Sequence, residues 1–127
     1  MNPGRALLIL VLAAVAACAP AASPAQTGLL TLTLTTGPTC PVEQIPPDPQ
    51  CATRPVVGRE VVILAGDREV ARGTSDGGGQ IRFQLPIGRY TVHDGLTGTF
   101  PTPPADQVVD IGGQPVELAL DYDTGIR

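Results

Sequence analysis

The chain has 127 residues, room for one domain built around one core. All eight basic residues are arginine; they face twelve acids, for a net charge of −4. No basic cluster is available to neutralise phosphates, which argues against nucleic acid as a partner.

Arg5 precedes an unbroken run of small and apolar residues from Ala6 to Ala19. At about 14 residues it is shorter than the roughly 20 that a bilayer span needs, so it reads as an export signal. Its end, Val15-Ala16-Ala17-Cys18, resembles the bacterial lipobox, in which the signal peptide is removed before a cysteine that carries a diacylglyceryl group. That resemblance implies a signal peptide over 1–17 and lipidation at Cys18. Two acyl chains, at about 0.8 kcal/mol per buried CH₂, anchor stably where one binds reversibly. The expected place is then the outer face of a bacterial membrane. Cleavage at Ala19-Pro20-Ala21 instead would release a secreted protein.

The cysteine count fits export. Three is odd, and becomes one lipid site plus one pair, Cys40 with Cys51, in an oxidising compartment. Closing that loop is worth about 3 kcal/mol in the chain-entropy model. Two cysteines and the single His93 fall short of a zinc site, and no metal or other cofactor is expected.

From Ala19 to Thr27 the chain is Ala, Pro, Ser, Gln and Thr, so 18–27 reads as the lipidated Cys and a flexible tether, and a folded domain is expected over 28–127. Leu30, Leu32 and Leu34 alternate with Thr31, Thr33 and Thr35, the period of a half-buried strand. The stretch from Gly37 to Pro55 carries six prolines, which exclude helix and central strand, and the cysteine pair would clamp it. Within it, Ile45-Pro46-Pro47-Asp48-Pro49 is a candidate binding loop, alongside a simpler reading as a stiff connection. Glu60 to Ala65 and Glu69 to Thr74 form a hairpin across Gly66-Asp67, with Val70 the main inward residue of its second strand.

Asp76-Gly77-Gly78-Gly79 supplies a sharp reversal, with Asp76 read as a turn residue rather than a calcium ligand. Ile81, Phe83 and Leu85 mark the next strand, and Tyr90 and Val92 the one after. Gly95 to Asp106 is a second proline-bearing loop. Val108 to Ile111 and then Val116, Leu118, Leu120 and Tyr122 complete the series, with Tyr122 packing inward. Seven short strands and no helical period predict an all-β, seven-stranded antiparallel Ig-like or prealbumin-like sandwich whose core rests on Val, Leu and Ile.

Pro55-Val56-Val57-Gly58-Arg59-Glu60-Val61, Thr74-Ser75-Asp76-Gly77-Gly78-Gly79-Gln80-Ile81-Arg82-Phe83 and Leu85-Pro86-Ile87-Gly88-Arg89-Tyr90-Thr91-Val92 together resemble the carboxypeptidase regulatory-like domain. That family shares a transthyretin-like sandwich with the Cna-B modules of surface adhesins. The resemblance implies the fold; members serve as stalks, spacers, binding units and enzyme appendages, so it implies no single activity. The internal Lys–Asn/Asp bond of many Cna-B modules cannot form in a chain without lysine. The several histidines of related hydrolases and dioxygenases are also missing. His93 with Asp94, beside Ser75 or Thr97, lacks a motif that would place a nucleophile, and no catalytic residue is assigned.

The expected protein is a non-enzymatic, lipid-anchored envelope module that binds a protein or polysaccharide, or spaces other components, through its two proline-rich loops. The alternative is an accessory or structural subunit of an envelope enzyme or transporter complex.

Overall fold

Apolar residues recurring at every second position give each strand one inward face, and two such sheets close on each other. The computed structural model describes residues 26–37, 39–42, 44–96 and 100–126. The signal-peptide segment and Cys18 lie outside them. The described residues form eight strands: β1 Thr27–Gly37, β2 Arg54–Pro55, β3 Glu60–Ala65, β4 Arg68–Thr74, β5 Gln80–Pro86, β6 Gly88–Asp94, β7 Gln107–Ile111 and β8 Val116–Asp123. A 3-10 turn occupies Pro49–Cys51.

β1 is the centre of the first sheet. It pairs antiparallel with β5 from Thr27↔Pro86 to Thr33↔Gln80, and with β2 at Thr35↔Pro55. Residues 30–33 of β1 also pair with β8, which therefore lies on the opposite side. That ladder is parallel, from Leu30↔Val116 to Gly37↔Asp123, and departs from the all-antiparallel expectation. The second sheet runs β4-β3-β6-β7 with every pair antiparallel.

Leu30, Leu32 and Leu34 have no exposed surface; they share one core with Ile81, Phe83 and Leu85 of β5 and Leu120 and Tyr122 of β8 in the same sheet, and with Val61 and Ile63 of β3 and Tyr90 and Val92 of β6 in the other. The outward positions Thr31, Thr33 and Thr35 form a row along the same strand.

Two details differ from the sequence reading. The eighth strand, β2, is two residues long and too short to show a period. Val70 is not inward: it is 39% exposed. A bulge between Ile63 and Leu64 shifts the register of β4, so Ala71 packs on the core, and Gly73 leaves room where a Cβ would stand 2.7 Å from Ile81 Cγ2.

Strand directions sort the connections between the two ends of the sandwich. At the end where β1 starts lie the short turns after β3, β5 and β7. At the other, distal end lie the turn 75–79 and the described parts of the connections between β1 and β3 and between β6 and β7. Gly79 makes the distal turn possible: its φ is +73°, and a Cβ there would sit 2.4 Å from the Leu34 carbonyl oxygen.

Candidate functional site

The distal end is organised by a buried polar cluster that joins the two sheets. Arg59 sits just ahead of β3, Asp94 ends β6 and Tyr122 lies near the end of β8; their exposures are 5%, 8% and 1%. Arg59 donates from Nε to Asp94 Oδ2 at 2.7 Å and from Nη2 to Asp94 Oδ1 at 2.8 Å. The Tyr122 hydroxyl donates to Asp94 Oδ2 at 2.8 Å, and the Leu96 N–H to Oδ1 at 2.9 Å. Arg59 also donates to the Leu96 carbonyl at 3.1 Å, and its guanidinium carbon stands 5.2 Å from the centre of the Tyr122 ring.

Burial alone would push the Asp94 carboxyl up, but the hydrogen bonds from Arg59, Tyr122 and Leu96 outweigh it and hold the group below the usual carboxylate range. Asp94 in turn raises Arg59 above its ordinary value. Burial, reinforced by the Asp94 carboxylate, pushes the Tyr122 phenol well above its own. The charged pair and the neutral phenol are therefore the forms present near neutrality. Ser75 completes the surroundings, accepting from the Arg59 N–H at 2.9 Å and donating to the Val56 carbonyl at 2.6 Å.

This arrangement separates the residues that the sequence placed side by side. His93 and Asp94 are consecutive in a strand, so they face opposite ways. His93 Nδ1 lies 2.6 Å from Asp106 Oδ1 on the outer face, while Asp94 is turned inward to Arg59. Ser75 is buried with its hydroxyl engaged, and Thr97 lies outside the described residues. No base–nucleophile pair results. Among the described residues, no group of three or more His, Cys, Asp or Glu side chains could hold a metal ion. Asp76 is a turn residue, its Oδ1 accepting the N–H groups of Gly78 and Gln80 at 2.9 Å each.

Above the cluster are the two proline-rich loops. Cys40 and Cys51 are disulfide-bonded with their Cα atoms 5.1 Å apart. The loop they close is braced from within, where Asp48 Oδ1 accepts from the Gln50 N–H, and from β2, where Arg54 donates to the Gln50 carbonyl. Ile45, Pro47, Pro49 and Ala52, with Gln44 and Asp48, line an open groove of about 590 Å³, and the Ile45 side chain is fully exposed. The candidate loop Ile45, Pro46, Pro47, Asp48, Pro49 is thus on the surface.

The second loop presents Phe100, 75% exposed, beside Pro101, Thr36 and Thr124 in a shallower hollow. Phe100 was not singled out by sequence reasoning. Its signal was a large aromatic in a proline-bearing loop, in a chain with only two phenylalanines.

No protein-family model matches the chain, and no curated protein does. Solved structures do. A variant of the shaft pilin SpaA from Lactobacillus rhamnosus GG superposes with a TM-score of 0.56 at 17% identity, covering 78% of this chain and 51% of the pilin. The Bacillus anthracis TIE protein gives 0.54 at 14%, over 77% of this chain and 16% of that one. A variant of BcpA, the major pilin subunit of Bacillus cereus, gives 0.50 at 19%, over 76% and 30%. The chain spans about half of the shaft pilin and less of the others. These matches agree with the all-β, Ig-like sandwich fold of the chain. At such identities the likeness is one of fold.

Proposed function

We propose that this protein is a lipid-anchored, non-enzymatic module of the cell envelope. In this reading residues 1–17 are removed as a signal peptide, lipid on Cys18 holds the chain at the outer face of a bacterial membrane, and residues 18–27 tether the sandwich over 28–127. The distal loops then meet a protein or polysaccharide ligand. The observation that carries the reading is the division of the two ends: short turns surround the start of β1, while both proline-rich loops project from the far end. A tether attached at Thr27 would hold those loops away from the membrane. The structural neighbours named as a shaft pilin and a major pilin subunit support a structural role over a catalytic one.

The anchor is tested on Cys18→Ala expressed in a bacterial host that processes lipoproteins. The wild-type chain should gain the mass of the lipid and sediment with membranes, and the variant should lose both. A variant that stays on the membrane with unmodified mass defeats the anchor. For the loops, chemical cross-linking on intact cells should yield adducts that Ile45→Glu and Phe100→Glu each reduce. Adducts unchanged by both substitutions would make the loops plain connections.

A further inference from the structure

β8 is an edge strand: β1 pairs along one side of it, and among the described residues the other side is met only at Asp123. There the Asp123 N–H and C=O exchange hydrogen bonds with Thr102, at 2.9 and 2.8 Å, in the antiparallel sense. Along a strand the backbone groups of every second residue point to the same side, so Asp121, Ala119 and Glu117 turn their N–H and C=O outward as Asp123 does. The pairing stops after one rung for a chemical reason. The residue that would face Asp121 is Pro104, which has no N–H to give.

Two further features belong to the same stretch. The side chains of Glu117, Ala119 and Asp121 are exposed on the outer face, and both polar ones are acids, Asp121 steadied by a bond from Thr35 at 2.9 Å. On the inner face Leu120 and Tyr122, beside the rung, are buried, whereas Val116 and Leu118, beyond it, are only partly so. Backbone and core are thus left unfinished over the same residues. The opposite corner of the sandwich is closed, with Gly73 of β4 letting Ile81 and Phe83 of β5 come close.

From this geometry we propose that the edge of β8 from Val116 to Asp121 takes up an extended segment of another protein, paired antiparallel as a further strand, in which apolar residues alternate with arginine or lysine. Its apolar side chains cover Val116 and Leu118, its basic ones lie along Glu117 and Asp121, and its backbone continues the ladder that Thr102 begins. A second copy of the chain is a poor occupant. An antiparallel pair of β8 strands centred on Ala119 sets Glu117 directly against Asp121 of the other copy, and like charges so placed repel. Val116 lies at the end of the sandwich opposite the two proline-rich loops, so this contact is separate from theirs and from lipid on Cys18.

The test measures, by fluorescence anisotropy, binding of the labelled peptide Val-Arg-Val-Lys-Val-Arg-Val to the full chain carrying Cys18→Ser. Saturable binding that weakens as salt rises is expected, and the same peptide with Glu at its basic positions should bind about tenfold or more weakly. Ala119→Pro removes one outward N–H and no bond to β1, so it should weaken binding by about tenfold and leave the urea midpoint in place. N-methylation of the peptide's Arg and Lys residues, whose N–H groups face β8, should abolish binding; N-methylation of its valines, whose N–H groups face away, should not. No saturable binding, or equal binding of the basic and acidic peptides, overturns the proposal. Binding indifferent to the site of methylation overturns strand pairing, whether or not Ala119→Pro folds. Dimers that form without peptide and are lost in Ala119→Pro would make the occupant a second copy, and overturn it equally.

Discussion

Asp94→Asn should lower the folding stability by about 3–5 kcal/mol, seen as a fall in the urea midpoint, because it leaves the Arg59 guanidinium buried without a counter-charge. Arg59 and Asp94 are each under a tenth exposed, so water cannot replace the lost partner without opening the distal end. Tyr122→Phe removes one donor and leaves the ion pair, and should cost about 1 kcal/mol. The difference between wild type and Asp94→Asn also depends on pH. A carboxyl whose folded pKa is depressed contributes its full stabilisation above its unfolded value near about 4, and loses it as pH falls through the lower, folded value. The gap between the two proteins should be widest around neutral pH and narrow in acid. A gap that stays constant down to strong acid would exclude the Asp94 carboxylate as its source.

Leu32→Ala should cost about 2–5 kcal/mol, a second effect of similar size. Leu32 has no exposed surface and lies at the middle of the central strand of the first sheet, which pairs on both sides, opposite Ile81 of β5 and Leu118 of β8. Its removal leaves a hole where two ladders and the facing sheet meet. Thr33→Ala, one residue along and on the outer face, should change stability by about half a kcal/mol or less. Equal effects at the two positions would mean that the alternation of β1 does not set its faces.

That alternation is why most of the fold is readable from the sequence. Leu30-Leu32-Leu34, Ile81-Phe83-Leu85 and Leu118-Leu120-Tyr122 each announce an inward face without reference to any other segment, and Asp76 ahead of three glycines announces its turn. What a strand pairs with is a different matter. The parallel β1–β8 ladder joins residues more than eighty positions apart, and nothing in either segment specifies the other.

The polar cluster was half visible. The period that turns Tyr90 and Val92 inward also turns Asp94 inward, and the one that turns Val61 and Ile63 inward does the same for Arg59. An inward acid and an inward base of this kind require each other. His93, its neighbour in sequence, belongs to the opposite face, since strand geometry turns consecutive side chains apart. Val70 was misplaced because a bulge inserts a residue that no period can anticipate.

The disulfide ring has one more consequence. Its two ends meet between the close of β1 at Gly37 and the start of β2 at Arg54, so the described residues between Cys40 and Cys51 form a closed excursion outside both sheets. None of the described ones belongs to the buried core. A change of sequence, or of length, inside the ring therefore perturbs neither β1 nor β3, and a single backbone cut there leaves both fragments joined. The sandwich keeps its shape while the surface it displays is free to diversify.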